Sequence, residues 1–82
     1  HKERLTMKEQ LLNVLQEIRP DVDFEHETRL IDDGILDSFD IIQVVQDLND
    51  AFDVEINVED LEPENFNTID AMMELIEKLQ AE

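Results

Sequence analysis

The stretch Asp33-Gly34-Ile35-Leu36-Asp37-Ser38-Phe39-Asp40-Ile41-Ile42-Gln43-Val44-Val45 continues through Gln46-Asp47-Leu48-Asn49-Asp50-Ala51-Phe52. Within it, Ile41, Val45, Leu48 and Phe52 fall on one helical line, and Ile42 and Val44 widen that line. Asp40, Gln43, Asp47 and Asp50 follow steps of three, four and three, which places them together on the opposite, solvated face. The spacing predicts a helix from about Ser38 to Phe52. Asp37 and Ser38 stand where an N-cap belongs, and acids there also suit the positive end of the helix dipole. Gly34, the chain's one glycine, lets the backbone turn tightly just before Ser38. Ser38 then reads as a structural cap, as a hydroxyl displayed at the head of a helix for another enzyme to modify, or as both.

Outward from this stretch the same period recurs. Thr6-x-x-Glu9 is a capping-box pattern, and Met7, Leu11, Leu12, Val14, Leu15 and Ile18 continue it as a helix over 7–18. Arg19-Pro20 ends it, because the residue before proline avoids helical angles. Residues 19–37 keep no sustained period, yet carry Leu30, Ile31, Ile35 and Leu36 in pairs, so an ordered, core-pinned loop is expected. Asn57-x-x-Asp60 opens a short helical turn at about 58–62, and 62–67 reads as a connecting loop anchored by Phe66. Asn67 or Thr68 caps a last helix over about 69–80, with Ile69, Met72, Met73, Ile76 and Leu79 on one face. No segment alternates as a strand does. The prediction is an all-α fold: a small antiparallel bundle of three long helices plus one short helix.

Apolar residues make up 41% of the 82, enough for one core but not for two. Residues 1–6 are expected to be a disordered terminus or a cloning remnant, with 7–82 a single domain. Cysteine is absent, which removes disulfides, thiolate metal sites and a cysteine nucleophile. The longest apolar run is Ala71-Met72-Met73, so neither a membrane span nor a signal peptide is expected, and the chain is expected to be cytoplasmic and monomeric. The net charge is −17, and residues 20–82 hold only two bases, Arg29 and Lys78. Such a surface repels nucleic acid and anionic lipid and attracts basic protein patches.

The chemistry of an autonomous enzyme is missing from the pattern, and no catalytic residue is expected. His1 and His26 are the only histidines, and neither is placed by sequence to activate Ser38. Asp21-x-Asp23-x-Glu25 imitates the start of a calcium loop. His26 stands where that loop needs glycine, however, and Asp32 replaces the bidentate glutamate at its end, so no metal site is expected.

Gly34-Ile35-Leu36-Asp37-Ser38-Phe39, with Ile41-Ile42 and the run Asn49-Asp50-Ala51-Phe52-Asp53-Val54-Glu55-Ile56, resembles the acyl carrier protein family over roughly residues 7–80. The resemblance implies that a phosphopantetheinyl transferase moves 4′-phosphopantetheine from coenzyme A onto Ser38, within the attachment pair Asp37-Ser38. It implies a thioester cargo on the arm's thiol, loaded by a ligase or acyltransferase with a basic patch and collected by a downstream transferase or synthase. Asp40, Gln43, Asp47 and Asp50 become the docking face for such partners. Leu48, Phe52, Ile56, Leu61, Ile69, Met72 and Met73 correspond to positions that part around cargo in fatty-acid carriers; on their own spacing they are core.

Within the family, fatty-acid carriers read leucine where this chain has Phe39 and glutamate where it has Gln43. The segment Pro63-Glu64-Asn65-Phe66-Asn67-Thr68 is more similar to D-alanyl and other freestanding aminoacyl carriers, with Phe66 where the D-alanyl group favours tryptophan. The expected function is a phosphopantetheine-bearing carrier that shuttles an aminoacyl or acyl thioester between enzymes, with an amino acid such as D-alanine as one candidate cargo. The alternatives are a fatty-acid or polyketide carrier and, from a different class, an acidic helical interaction or divalent-ion-binding domain without a prosthetic group.

Overall fold

A computed structural model describes residues 6–81; the expectation for the N-terminal segment falls, apart from Thr6, outside the described residues. Helix α1 (Met7–Ile18) opens on the reciprocal cap its sequence predicts. The Thr6 hydroxyl accepts from the Glu9 amide at 3.1 Å while the Glu9 carboxylate accepts from the Thr6 amide at 2.9 Å. Helix α2 (Ser38–Phe52) is followed by a 3₁₀ turn at Val58–Asp60, a four-residue helix α3 (Pro63–Phe66) and helix α4 (Ile69–Ala81). Among the described residues there is no strand.

Helix α1 packs against both α2 and α4. Gln10, near its start, donates to the Ala51 carbonyl near the end of α2, and Arg19, at its end, reaches Asp40 near the start of α2. Gln80 near the end of α4 donates to the Phe52 carbonyl. Thus α1 runs against both of its neighbours. Leu11 and Leu15 of α1 meet Val44, Leu48 and Phe52 of α2 and Ile69, Met72, Leu75 and Ile76 of α4 in one core. Burying each such side chain contributes about 1.5–3 kcal/mol.

The long loop is ordered because it donates its own side chains to that core: Phe24, Leu30 and Leu36 are buried. Its backbone is held from a distance by Asn67. The Asn67 side-chain oxygen accepts from the amides of Ile31 and Asp32 at 2.9 and 3.0 Å, its carbonyl accepts from the Leu30 amide, and its side-chain nitrogen donates to Asp32. Asn67 is therefore a loop clamp, and Thr68 alone caps α4, accepting from the Ala71 amide at 3.0 Å. The predicted loop at 62–67 contains α3 instead. Pro63 sits in its first turn, where its fixed φ and missing N–H cost nothing, and burial of Phe66 holds the turn down.

The predicted members of the α2 apolar stripe differ in depth. Val44 and Leu48 are buried, whereas Ile42 is 57% exposed. A stripe that includes both Ile41 and Ile42 is wider than the surface α1 and the loop can cover.

Gly34 has φ +70°, and a Cβ added there would meet nothing within 4 Å. The glycine is needed for its backbone angle and not for space. Gly34→Ala should therefore lower unfolding free energy by about 1 kcal/mol in denaturant titrations, with Gly34→Asn costing less. An alanine variant as stable as the wild type would contradict this.

Candidate functional site

The start of α2 is fixed by three carboxylates and one guanidinium. Asp37 is the N-cap: its side chain accepts from the Asp40 amide at 2.9 Å, and Asp40 answers by accepting from the Asp37 amide at 3.3 Å. Ser38 is thus the first helical residue and not the cap, which corrects the capping alternative. Once aspartate fills the cap, the next side chain is turned outward. Ser38 is exposed, and its hydroxyl makes no hydrogen bond with any described residue. The hydroxyls of Thr6 and Thr68 are both engaged in capping.

Arg19 closes the arrangement from the end of α1. Its Nη1 donates to Asp40 at 2.6 Å and to the Ile35 carbonyl at 3.0 Å, and its Nε and Nη2 fork onto Asp21 at 3.1 and 3.0 Å. The bonds to Asp21 and then to Asp40 raise the Arg19 guanidinium above its ordinary pKa. The Arg19 bond in turn holds the Asp21 carboxyl below the usual carboxylate range. In the sequence Arg19 reads only as a helix end, since nothing in local spacing announces a partner twenty-one residues away.

Beside Ser38 lies an open, mostly apolar groove lined by Ile31, Leu36, Ile41, Ile42 and Leu61, with Asp37 and Ser38 at its mouth. Ile31, Ile41 and Leu61 also line an adjoining recess that reaches Pro63 and Phe66. Phe39, next to Ser38, is 83% exposed. Of the residues expected to line a cargo pocket, only Leu61 borders this groove. Leu48, Phe52, Ile56, Ile69 and Met72 are buried in the closed core, and Met73 is half-buried against it. The doubled pair Ile41-Ile42 is the sequence signal for the groove: Ile41 packs against the core, whereas Ile42 is left largely exposed.

The expected docking stripe is not uniform. Asp40 is neutralised by Arg19 and its side chain is only 17% exposed. Gln43 is exposed and donates to Asp47 at 2.9 Å. Asp47 and Asp50 lean toward α1, where they border a shallow depression with Glu17. The calcium-like run is dispersed among separate basic side chains: Asp21 on Arg19, Asp23 on His26 at 2.8 Å, and Glu25 on Lys8 at 3.8 Å. No three potential metal-ligating side chains converge among the described residues.

A family profile described as phosphopantetheine attachment site matches residues 8–76. The chain is also 27% identical to D-alanyl carrier proteins of Bacillus cereus and Bacillus anthracis over 75 residues, 89% of this chain and 95% of each relative.

Because Asp37 and not Ser38 carries the cap, Asp37→Ala should destabilise the chain by about 1 kcal/mol. Ser38→Ala should change stability by less than about 0.5 kcal/mol. Thermal and denaturant unfolding of the two variants side by side checks this; equal losses would restore Ser38 as the cap.

Proposed function

Since the chain belongs to the acyl carrier protein family, whose members carry 4′-phosphopantetheine and are not themselves catalysts, we propose that Ser38 is its attachment residue. The observation that carries this reading is the unengaged, exposed hydroxyl at the first position of α2, held there by Asp37 and Asp40. Ser38 is also the only serine in the chain. Its surroundings suit the arm. A phosphate bonded to its oxygen sits at the positive end of a fifteen-residue helix, and the groove along Ile41 and Leu61 offers the rest an apolar bed.

In the attachment, the Ser38 oxygen forms the bond to phosphorus, the pyrophosphate linkage of coenzyme A breaks, and adenosine 3′,5′-bisphosphate leaves. The hydroxyl proton passes to a base on the transferase; among the described residues none hydrogen-bonds the Ser38 hydroxyl. When bound, the arm supplies a terminal thiol that holds cargo as a thioester.

The cargo we assign is an amino acid, with D-alanine the first candidate. The relatives named above support it, and so does the closed core around Leu48, Phe52 and Met72. A small polar aminoacyl group needs no channel through apolar packing. The loading ligase and the receiving transferase present basic patches to Gln43, Asp47 and Asp50, drawn by a chain of net charge −17. No helix among the described residues is long and apolar enough to cross a membrane, and we place the carrier in the cytoplasm as a monomer.

Incubation with coenzyme A and a broad-specificity transferase should add the mass of one phosphopantetheine to the peptide containing Ser38, and none to Ser38→Ala. Modification of the alanine variant, or none of the wild type, would overturn the assignment. An adenylating ligase offered D-alanine and competing acids then reads the cargo.

A further inference from the structure

We propose that Arg19 is a positioning residue for the modification of Ser38: by tying Asp40 to Asp21 and to the Ile35 carbonyl, it holds the first turn of α2 in the register that presents the hydroxyl. This rests on the reading of Ser38 as the attachment residue.

Arg19 is the C-cap of α1, and its own amide donates to the Leu15 carbonyl at 2.9 Å, so the base of its side chain is fixed to a helix. From there its guanidinium spans three separate pieces of chain. It meets Asp21 at the entry to the long loop, Ile35 near the exit of that loop, and Asp40 in the first turn of α2. The Asp40 oxygen that receives Arg19 is the same Oδ2 that accepts from the Asp37 amide. A continuous line of bonds therefore runs from Arg19 through Asp40 to Asp37, the residue before Ser38.

Nothing within α2 can replace this cation, because residues 38–52 contain no lysine, arginine or histidine. Without Arg19, the carboxylates of Asp21, Asp37 and Asp40 share one end of the molecule with no other cation among the described residues paired to them. The reciprocal cap would persist as a local pair, but its orientation against α1 and the loop would loosen. Reaction at a hydroxyl is sensitive to small misplacement. Lysine could keep the charge but not the fork that meets Asp21 while also reaching Ile35 and Asp40.

This role has a kinetic sign that separates it from docking and from bulk stability. Losing a docking charge raises KM. Losing fold stability lowers the concentration of competent carrier, which also appears as a higher KM. Losing position alone lowers kcat, while removal of a positive charge leaves KM unchanged or lower, because the surface becomes more acidic toward a basic transferase.

The test uses the full chain, coenzyme A and one transferase, with kcat and KM measured separately and the modified peptide identified by mass. Arg19→Gln should lower kcat by about tenfold, about 1.4 kcal/mol in barrier, without raising KM. Arg19→Lys should fall between it and the wild type. Asp40→Asn, which retains an acceptor for the Asp37 amide, should lower kcat comparably, and the double variant should fall no further. In the unmodified protein, amide resonances of Asp37 to Ile41 should shift in Arg19→Gln while those of α4 stay in place. Arg29→Gln, which removes the exposed loop pair with Asp33, should behave as wild type. Wild-type kcat in Arg19→Gln, a rise in KM alone, or the same loss in Arg29→Gln would overturn the role of Arg19 while leaving Ser38 as the attachment residue. A wild type left unmodified at Ser38 would remove both.

Discussion

The reciprocal cap between Asp37 and Asp40 determines where α2 begins, and the site depends on that choice. A capping residue spends its side chain on the backbone of its own helix. If Ser38 were the cap, its hydroxyl would be folded back onto the Asp40 or Ile41 amide. Aspartate one position earlier takes that duty, so the serine enters the helix with its oxygen unspent. A single cap contributes only about 1 kcal/mol, too little to hold one register unaided. The surrounding packing supplies the rest: Leu36 buried just before the cap, Val44 buried just after it, and Arg19 on Asp40 from the neighbouring helix.

The long loop matters for the same reason. A segment of this length has many ways to deliver a chain to α2, and its conformational freedom has to be offset by contacts. Phe24, Leu30 and Leu36 provide the apolar share, and Asn67 provides the polar share from the far side of the sequence. Gly34 supplies the one backbone angle that the final bend requires. The strongly acidic exterior is managed in this region by drawing on bases from the near-neutral first quarter of the chain, with Arg19 on Asp21 and Asp40 and Lys8 on Glu25.

The parts of the molecule legible in the sequence are those written in local chemistry. The bounds of α1 and α2, the Thr6–Glu9 box and the need for Gly34 all follow from spacing and caps within a few residues. What local reading misses is choice among equals and contact over distance. Asp37 and Ser38 are both good caps, and only the geometry separates them. Asn67 and Thr68 likewise compete for one cap, and Asn67 is taken instead by Ile31 and Asp32. Arg19 looks like a helix terminator until its partners across the loop are known. Ile42 shares its period with buried residues and still lies open beside Ser38, because coverage depends on which neighbours arrive.

The most direct test of this account is the position of the first helical residue of α2 in solution, read from backbone chemical shifts and amide hydrogen exchange across residues 36–42. With Asp37 as the cap, Asp37 is extended, helical shifts run from Ser38 onward, and exchange is slowed at Asp40 and Ile41, whose amides donate to the Asp37 side chain and carbonyl. An extended Ser38 with the helix starting at Phe39, and an Asp40 amide exchanging as fast as open chain, would contradict it.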